Sequence, residues 1–181
     1  SGRRVMLPLG RDANFRWDML TNEALLLVQR ALQWGIGEAG AAPPPKKLLF
    51  VAANATPSGL EQARIDLIES WGYTVNLIAD EDSQAIFDAA VVANDVAYVS
   101  SQVVESTLAT KLTDAPIGIV NEQGLLVDEF GFGQQSVNYK SRTEIDIVDN
   151  SHYITQGFST GLLTILSSTQ DLHIMTSNKA A

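Results

Sequence analysis

A chain of 181 residues with 45% hydrophobic and 18% charged side chains is long enough for one well-cored domain and short for two. A formal charge of −9, with basic residues met only in pairs such as Arg3-Arg4 and Lys46-Lys47, argues against a nucleic-acid partner or an anionic membrane surface. No apolar run approaches the roughly 18 residues that span a bilayer, so no membrane insertion is expected, and the start carries no signal-peptide pattern. The absence of cysteine removes disulfides, thiolate zinc sites and a cysteine nucleophile together. Few lysines among many Ser, Thr, Asn and Gln favour a secreted or cell-surface location, with the cytoplasm as the alternative.

Arg3 to Leu9 is expected to be a short strand, with Pro8 near its end. Gly10 to Leu20 forms a polar and aromatic loop in which Phe15 and Trp17, like Trp34, read first as core and loop anchors; exposed beside Arg11, the set Phe15, Arg16 and Trp17 would instead make a contact surface for a protein or a glycan. Thr21 caps a helix running from Glu23 to Gly35, apolar around much of its circumference and therefore buried. Residues 3–37 make a strand–helix unit, residues 38–46 a Pro-rich linker, and residues 47–181 the main part of one α/β domain.

Lys46 to Asp80 reads as a complete β-α-β unit. Leu48 to Ala53 is a continuous apolar run of the kind covered on both faces. Thr56, Pro57 and Glu61 mark the start of a helix whose apolar face is Leu60, Ile65, Leu67, Ile68 and Trp71, with Arg64, Asp66 and Glu69 elsewhere. Gly72 suits a left-handed cap, and Tyr73 to Ile78 is the second strand. A strand, a crossover helix and a strand in about thirty residues imply parallel pairing with a right-handed connection. Asp82 then caps a helix from Ser83 to Ala93; Val96 to Ser100 and Pro116 to Val120 are further parallel strands, joined by a weaker helix from Gln102 to Leu112. After Asn121 the grammar changes to a helical turn at Leu125–Phe130 and short strands at Ser136–Tyr139, Glu144–Val148, Leu162–Ser167 and Leu172–Thr176. A strand and helix that precede a fresh β-α series read as the terminal unit of a flavodoxin-like, doubly wound sheet. That order fits either a circular permutation or one frame of a tandem array, and it raises the prospect of self-association with neighbouring repeats.

The run LLFVAANATPSGLEQARIDLIESWGYTVNLIAD, with VAYVSSQV, PIGIVNEQGLLVDEFGF and VDNSHYITQGFSTG, resembles the glutamine-amidotransferase-like superfamily, particularly trehalose-utilisation (ThuA-like) domains, in pattern and order over roughly residues 47–177. SHYITQG looks like a degenerate His-Pro-Ile-Thr-x-Gly element of that family, and the front segment looks like its usual last strand and helix. The resemblance implies a flavodoxin-like sheet. It does not bring the activity with it, because the turn after the third strand of that series holds Ser100-Ser101-Gln102 where the family's cysteine elbow would stand.

Parallel sheets bind ligands beyond the carboxyl ends of their strands, where this chain collects Asn54, Thr56, Ser58, Asp80, Ser100, Ser101, Gln102, Asn121 and Glu122. Such a rim suits a carbohydrate or small molecule; equally, Ser, Thr and Asn there serve as helix caps. Ser101 as nucleophile, His152 as base and Asp149 as its orienter would form a hydrolytic triad, although no Gly-x-Ser-x-Gly surrounds Ser101. His173, between Leu172 and Ile174, is expected to face solvent on a strand. Neither the two histidines nor Asp80-Glu81-Asp82 form a metal motif, and Gly131-Phe132-Gly133 lacks a dinucleotide fingerprint, so no metal or cofactor is expected. The sequence thus points first to a non-catalytic structural or interaction module, a repeat or subunit of a bacterial surface assembly or filament, and second to a ThuA-like enzyme or sugar-binding domain.

Overall fold

The computed structural model describes residues 2–9, 15–37, 46–133 and 137–175. The proline stretch of the expected linker lies outside them, and Lys46 already opens a strand. In chain order the elements are β1 (Arg4–Met6), α1 (Asn22–Ile36), β2 (Lys46–Ala52), α2 (Gly59–Ser70), β3 (Tyr73–Ala79), α3 (Gln84–Ala93), β4 (Val96–Val99), α4 (Glu105–Leu108), β5 (Gly118–Asn121), β6 (Val137–Arg142), β7 (Glu144–Ile147), β8 (Gly161–Thr164) and β9 (Gln170–Met175). A 3₁₀ turn at Trp17–Met19 precedes α1 and another at Gly124–Leu126 follows β5.

Five strands form one all-parallel sheet in the order β1-β5-β4-β2-β3, giving an α/β, flavodoxin-like architecture. The order reverses between β2 and β4, which is where such a sheet opens a crevice beyond its strand ends. β1, although first in the chain, takes the edge beside β5 that the last strand occupies in a 2-1-3-4-5 sheet. Two small antiparallel pairs, β6 with β9 and β7 with β8, are built from the C-terminal third.

Period-two alternation sorts the strand side chains onto two cores. Leu48, Phe50, Tyr98 and Val120 face α1 and α2, meeting Val28, Leu32, Ile65 and Ile68; Leu49, Val51, Ala97, Val99 and Ile119 face α3 and the 103–130 segment, meeting Phe87, Leu108, Leu112 and Leu126. Helices therefore cover both faces, as continuous apolar strands require. The leading strand–helix unit docks on the chain's own sheet: a Cβ on Gly118 would stand 2.2 Å from the Gly35 carbonyl oxygen, so α1 and β5 meet backbone to backbone. That interface is closed within one chain and is not open to a neighbour's strand and helix.

Several local expectations are met and several are corrected. Thr21 caps α1 by accepting from the Ala24 N–H, and Gly72, at φ 90°, turns the chain after α2. At α2 the cap is Ser58 rather than Thr56, because Ser58 and Glu61 satisfy each other's backbone N–H in a capping box. Asp82 accepts from the Ala79 N–H and so folds the turn back onto β3, leaving Ser83 at the N-cap of α3. The helix expected over 102–112 shrinks to α4: the Asp80 carboxylate takes the Val104 N–H at 2.7 Å, and Ala109, at φ 45°, breaks the run. His173 is buried, not solvent-facing, because its ring packs against the backbone of Gly124 and lies 4.6 Å from the ring of Tyr139, its neighbour across the β6–β9 pair.

Candidate functional site

At the carboxyl ends of β2, β4 and β5 the chain leaves the sheet through Ala53, Ser100-Ser101 and Glu122, and these exits surround a buried polar cluster. Glu122, fully buried, accepts from Arg64 Nη2 at 2.8 Å and Trp17 Nε1 at 3.1 Å through Oε1, and from the Tyr98 hydroxyl at 2.7 Å through Oε2. Three donors on one carboxylate are what a charge needs to be tolerated away from water. Arg64, 1% exposed, also donates from Nη2 to Ser101 Oγ at 3.3 Å, and its guanidinium lies over the Trp17 ring at 5.4 Å. Its Nε and Nη1 are buried and have no hydrogen-bond partner among the described residues.

The second acid of the cluster is Glu61, also fully buried, whose two oxygens take the Ala53 and Ser58 N–H groups at 3.1 and 2.9 Å. It ties the end of β2 to the start of α2 and places a second negative charge near Arg64. Burial by itself would pull the guanidinium's pKa down, but the Glu122 charge, the hydrogen bond to Glu122 and the Glu61 charge hold it above the ordinary arginine value. The Tyr98 hydroxyl is pushed well above the usual tyrosine range by burial and by the Glu122 charge. It remains a proton donor to Glu122 at any ordinary pH.

The sequence-predicted rim is brought together only in part. Ser100, Ser101, Asn121 and Glu122 are all buried, whereas Asn54 and Thr56 are exposed and Ser58 is occupied as a cap. Ser100 Oγ accepts from the Gln102 N–H, and Asn121 closes a local turn with the backbone of Gln123. Asp80 is buried beneath the start of α4, its carboxyl raised above the usual range by burial against the opposing Val104 hydrogen bond and Lys111 charge. Phe15 and Trp17 are 3% and 6% exposed, so they are core residues and not a contact surface; their apolar area closes the strand ends. Arg16 alone of that trio is exposed, and it pairs with Asp18.

The triad is not assembled. His152 lies edge-on to Trp34 in the last turn of α1, while Arg3, which leads into β1, has its guanidinium over the same Trp34 ring. That is the amino end of a parallel sheet, and Ser101 follows the carboxyl end of β4. Asp149 accepts from the Ser151 N–H and orients its own loop. The atom beside Ser101 Oγ belongs to a guanidinium, which donates only and cannot take the serine proton.

No family model, curated protein or solved structure matches the chain. The site therefore stands on its own geometry. Sequence reasoning missed Trp17, Glu61, Arg64 and Tyr98 as its members. The available signal was the i, i+3 spacing of Glu61 and Arg64, which sets both on one helical face directly after the β2 turn. Beside the cluster a cleft of about 500 Å³ opens between Trp17 and the first turns of α2, lined also by Arg16, Asp18, Leu60 and Ala63. Among the described residues no cluster of three or more His, Cys, Asp or Glu is arranged to hold a metal ion, and no helix is long and apolar enough to cross a membrane.

Proposed function

We propose that this chain is a non-catalytic structural or interaction module of amidotransferase-like build. One observation carries the reading: the serine standing where a nucleophile would project from the sheet, Ser101, is 2% exposed and hydrogen-bonded to Arg64, with His152 held against Trp34 at the other end of the strands. A nucleophile needs a base within hydrogen-bond reach and a path for substrate, and Ser101 has neither. The cluster instead works as an internal fastening, in which Trp17 and Arg64 from two different segments are locked onto the Glu122 carboxylate. In this reading the chain is one unit of a secreted or surface-borne assembly, supported by the two sheet edges, β1 and β3, that have no strand partner among the described residues. The test is direct: a serine-reactive fluorophosphonate and a panel of ester and amide substrates give no labelling and no turnover. Size-exclusion chromatography with light scattering then reports association. Turnover abolished by Ser101→Ala sinks the proposal.

A second reading is favoured by the two guanidinium nitrogens of Arg64, Nε and Nη1, that have no partner among the described residues, next to the Trp17 cleft: a small carboxylated or sugar-like molecule entering the strand ends. Titration with a sugar and sugar-acid library, followed by Trp17 fluorescence, distinguishes it from the first.

A further inference from the structure

We propose that the groove between β1 and β7 takes an extended, apolar polypeptide segment carrying a basic residue, which pairs as an added strand on the outer edge of β1. β1 is the last strand of the parallel sheet, and among the described residues no strand pairs with its outer side. The Leu7 N–H bonds the Asn121 carbonyl at 2.8 Å and the Arg3 carbonyl accepts from the Ile119 N–H at 2.8 Å, so the odd-numbered residues spend their backbone groups on β5. By the period of two, the N–H and C=O groups of Arg4 and Met6 point away from the sheet. β7 pairs only with β8 and on one side, so the facing wall is a strand edge as well.

Between the two walls lies a groove of about 330 Å³ whose lining is mostly apolar, including Val5, Leu7, Ile145 and Ile147. A strand edge with no strand partner among the described residues, on a hydrophobic floor, is recognised by another backbone with alternating side chains, which a compact small molecule cannot supply. Charge selects the sequence of that segment. Asp146 and Asp149 stand exposed along the groove, and the Ser151 hydrogen bonds, aided by His152, hold the Asp149 carboxyl below the usual aspartate range. On a chain of net charge −9 this favours a lysine or arginine in the partner. The groove has a definite upper end, because the Pro8 carbonyl on the same side already accepts from the His173 N–H at 3.1 Å. The free edge is then about three residues, roughly 10 Å, so the contact is short and the binding weak.

The inference rests on the interaction-module reading and names the partner class for it. The probe is an acetylated, amidated eight-residue peptide alternating valine and threonine with a lysine at each end, added to the intact protein and followed by amide hydrogen exchange resolved by NMR. Saturating peptide is expected to slow exchange at Met6 and within β7 at least about tenfold and to leave β3 unchanged. Asp146→Asn with Asp149→Asn, both exposed and outside the core, is expected to weaken binding several-fold at low salt and to lose that effect at high salt. The same peptide N-methylated on alternate residues should not bind. Equal binding of the methylated peptide, or no protection at Met6 at millimolar peptide, overturns the proposal. Serine-dependent turnover would overturn the module reading and leave the groove result standing.

Discussion

Arg64 and Glu122 meet in the interior, Nη2 to Oε1 at 2.8 Å, with side chains 1% and 0% exposed. A pair so far from water is stabilising only while both members are present, since either one alone is an uncompensated buried charge. Arg64→Met should therefore cost about 3–5 kcal/mol in urea denaturation with an unchanged m-value. Glu122→Leu should cost more, because it also orphans the Trp17 and Tyr98 donors. Glu122→Gln, made alone and together with Arg64→Met, completes a cycle in which the double change should cost less than the sum of those two singles, since glutamine is neutral and still offers an acceptor. Strict additivity in that double-mutant cycle would contradict the coupling.

Trp17→Phe tests whether the 3₁₀ turn is fastened by its hydrogen bond or by its area alone. Phenylalanine keeps an aromatic ring beside Tyr98, whose centroid is 5.8 Å away, and beneath the Arg64 guanidinium, while it removes the N–H to the carboxylate and some buried ring volume. The expected loss is about 1.5–3 kcal/mol, the range for a bond to a charged acceptor. A change below about 0.5 kcal/mol would assign the fastening to packing.

How much of this is legible in the sequence differs by element. The sheet's strands are nearly all written there, because runs such as Leu48–Ala53 and Val96–Ser100 are too apolar to be wet on either face, and the helix between β2 and β3 returns the chain to the start of the sheet, so the two strands run parallel. The position of β1 is legible as well, from the order of segments. The site is legible at the strand ends, where Ser101, Asn121 and Glu122 converge, but not in its partners: Arg64 looks like a surface residue in a one-dimensional pattern, and only the three-dimensional proximity of Glu122 explains why a guanidinium can be buried. Trp17 escapes for the same reason. Its aromatic ring reads as a core or loop anchor, which its burial bears out, but the carboxylate that takes its N–H stands 105 residues further along the chain. His173 and the α4 region depart from expectation because side-chain contacts from remote segments, Tyr139 and Asp80, override the local pattern.

Gly118→Ala probes the seam between the leading unit and the rest of the sheet. A methyl group there would lie 2.2 Å from the Gly35 oxygen and 2.5 Å from its carbonyl carbon, and backbone cannot move aside as a side-chain tip does. Thermal unfolding should show a destabilisation of about 1–3 kcal/mol or more, the range for overpacking. Hydrogen exchange should accelerate in α1 before it does in β2 and β3. A neutral result would mean that α1 docks more loosely than its contacts with β5 require.

Glu129 supplies the pH dependence. Its carboxyl is raised from 4.5 to about 7, first by burial, then by a hydrogen bond with Asp128, and by the charges of Asp128 and Glu105. The folded state binds that proton more tightly than the unfolded chain does. Between about pH 4.5 and 7 the native form is therefore the more protonated one, and stability falls as pH rises through that window. Glu129→Gln removes the ionisation and keeps a neutral amide in place, so it should flatten the decline and make the protein more stable above pH 7. Chemical denaturation at half-unit pH steps, with the Glu129 carboxyl carbon followed by NMR, checks both the slope and its owner. A variant with the same slope as the parent would place the proton elsewhere.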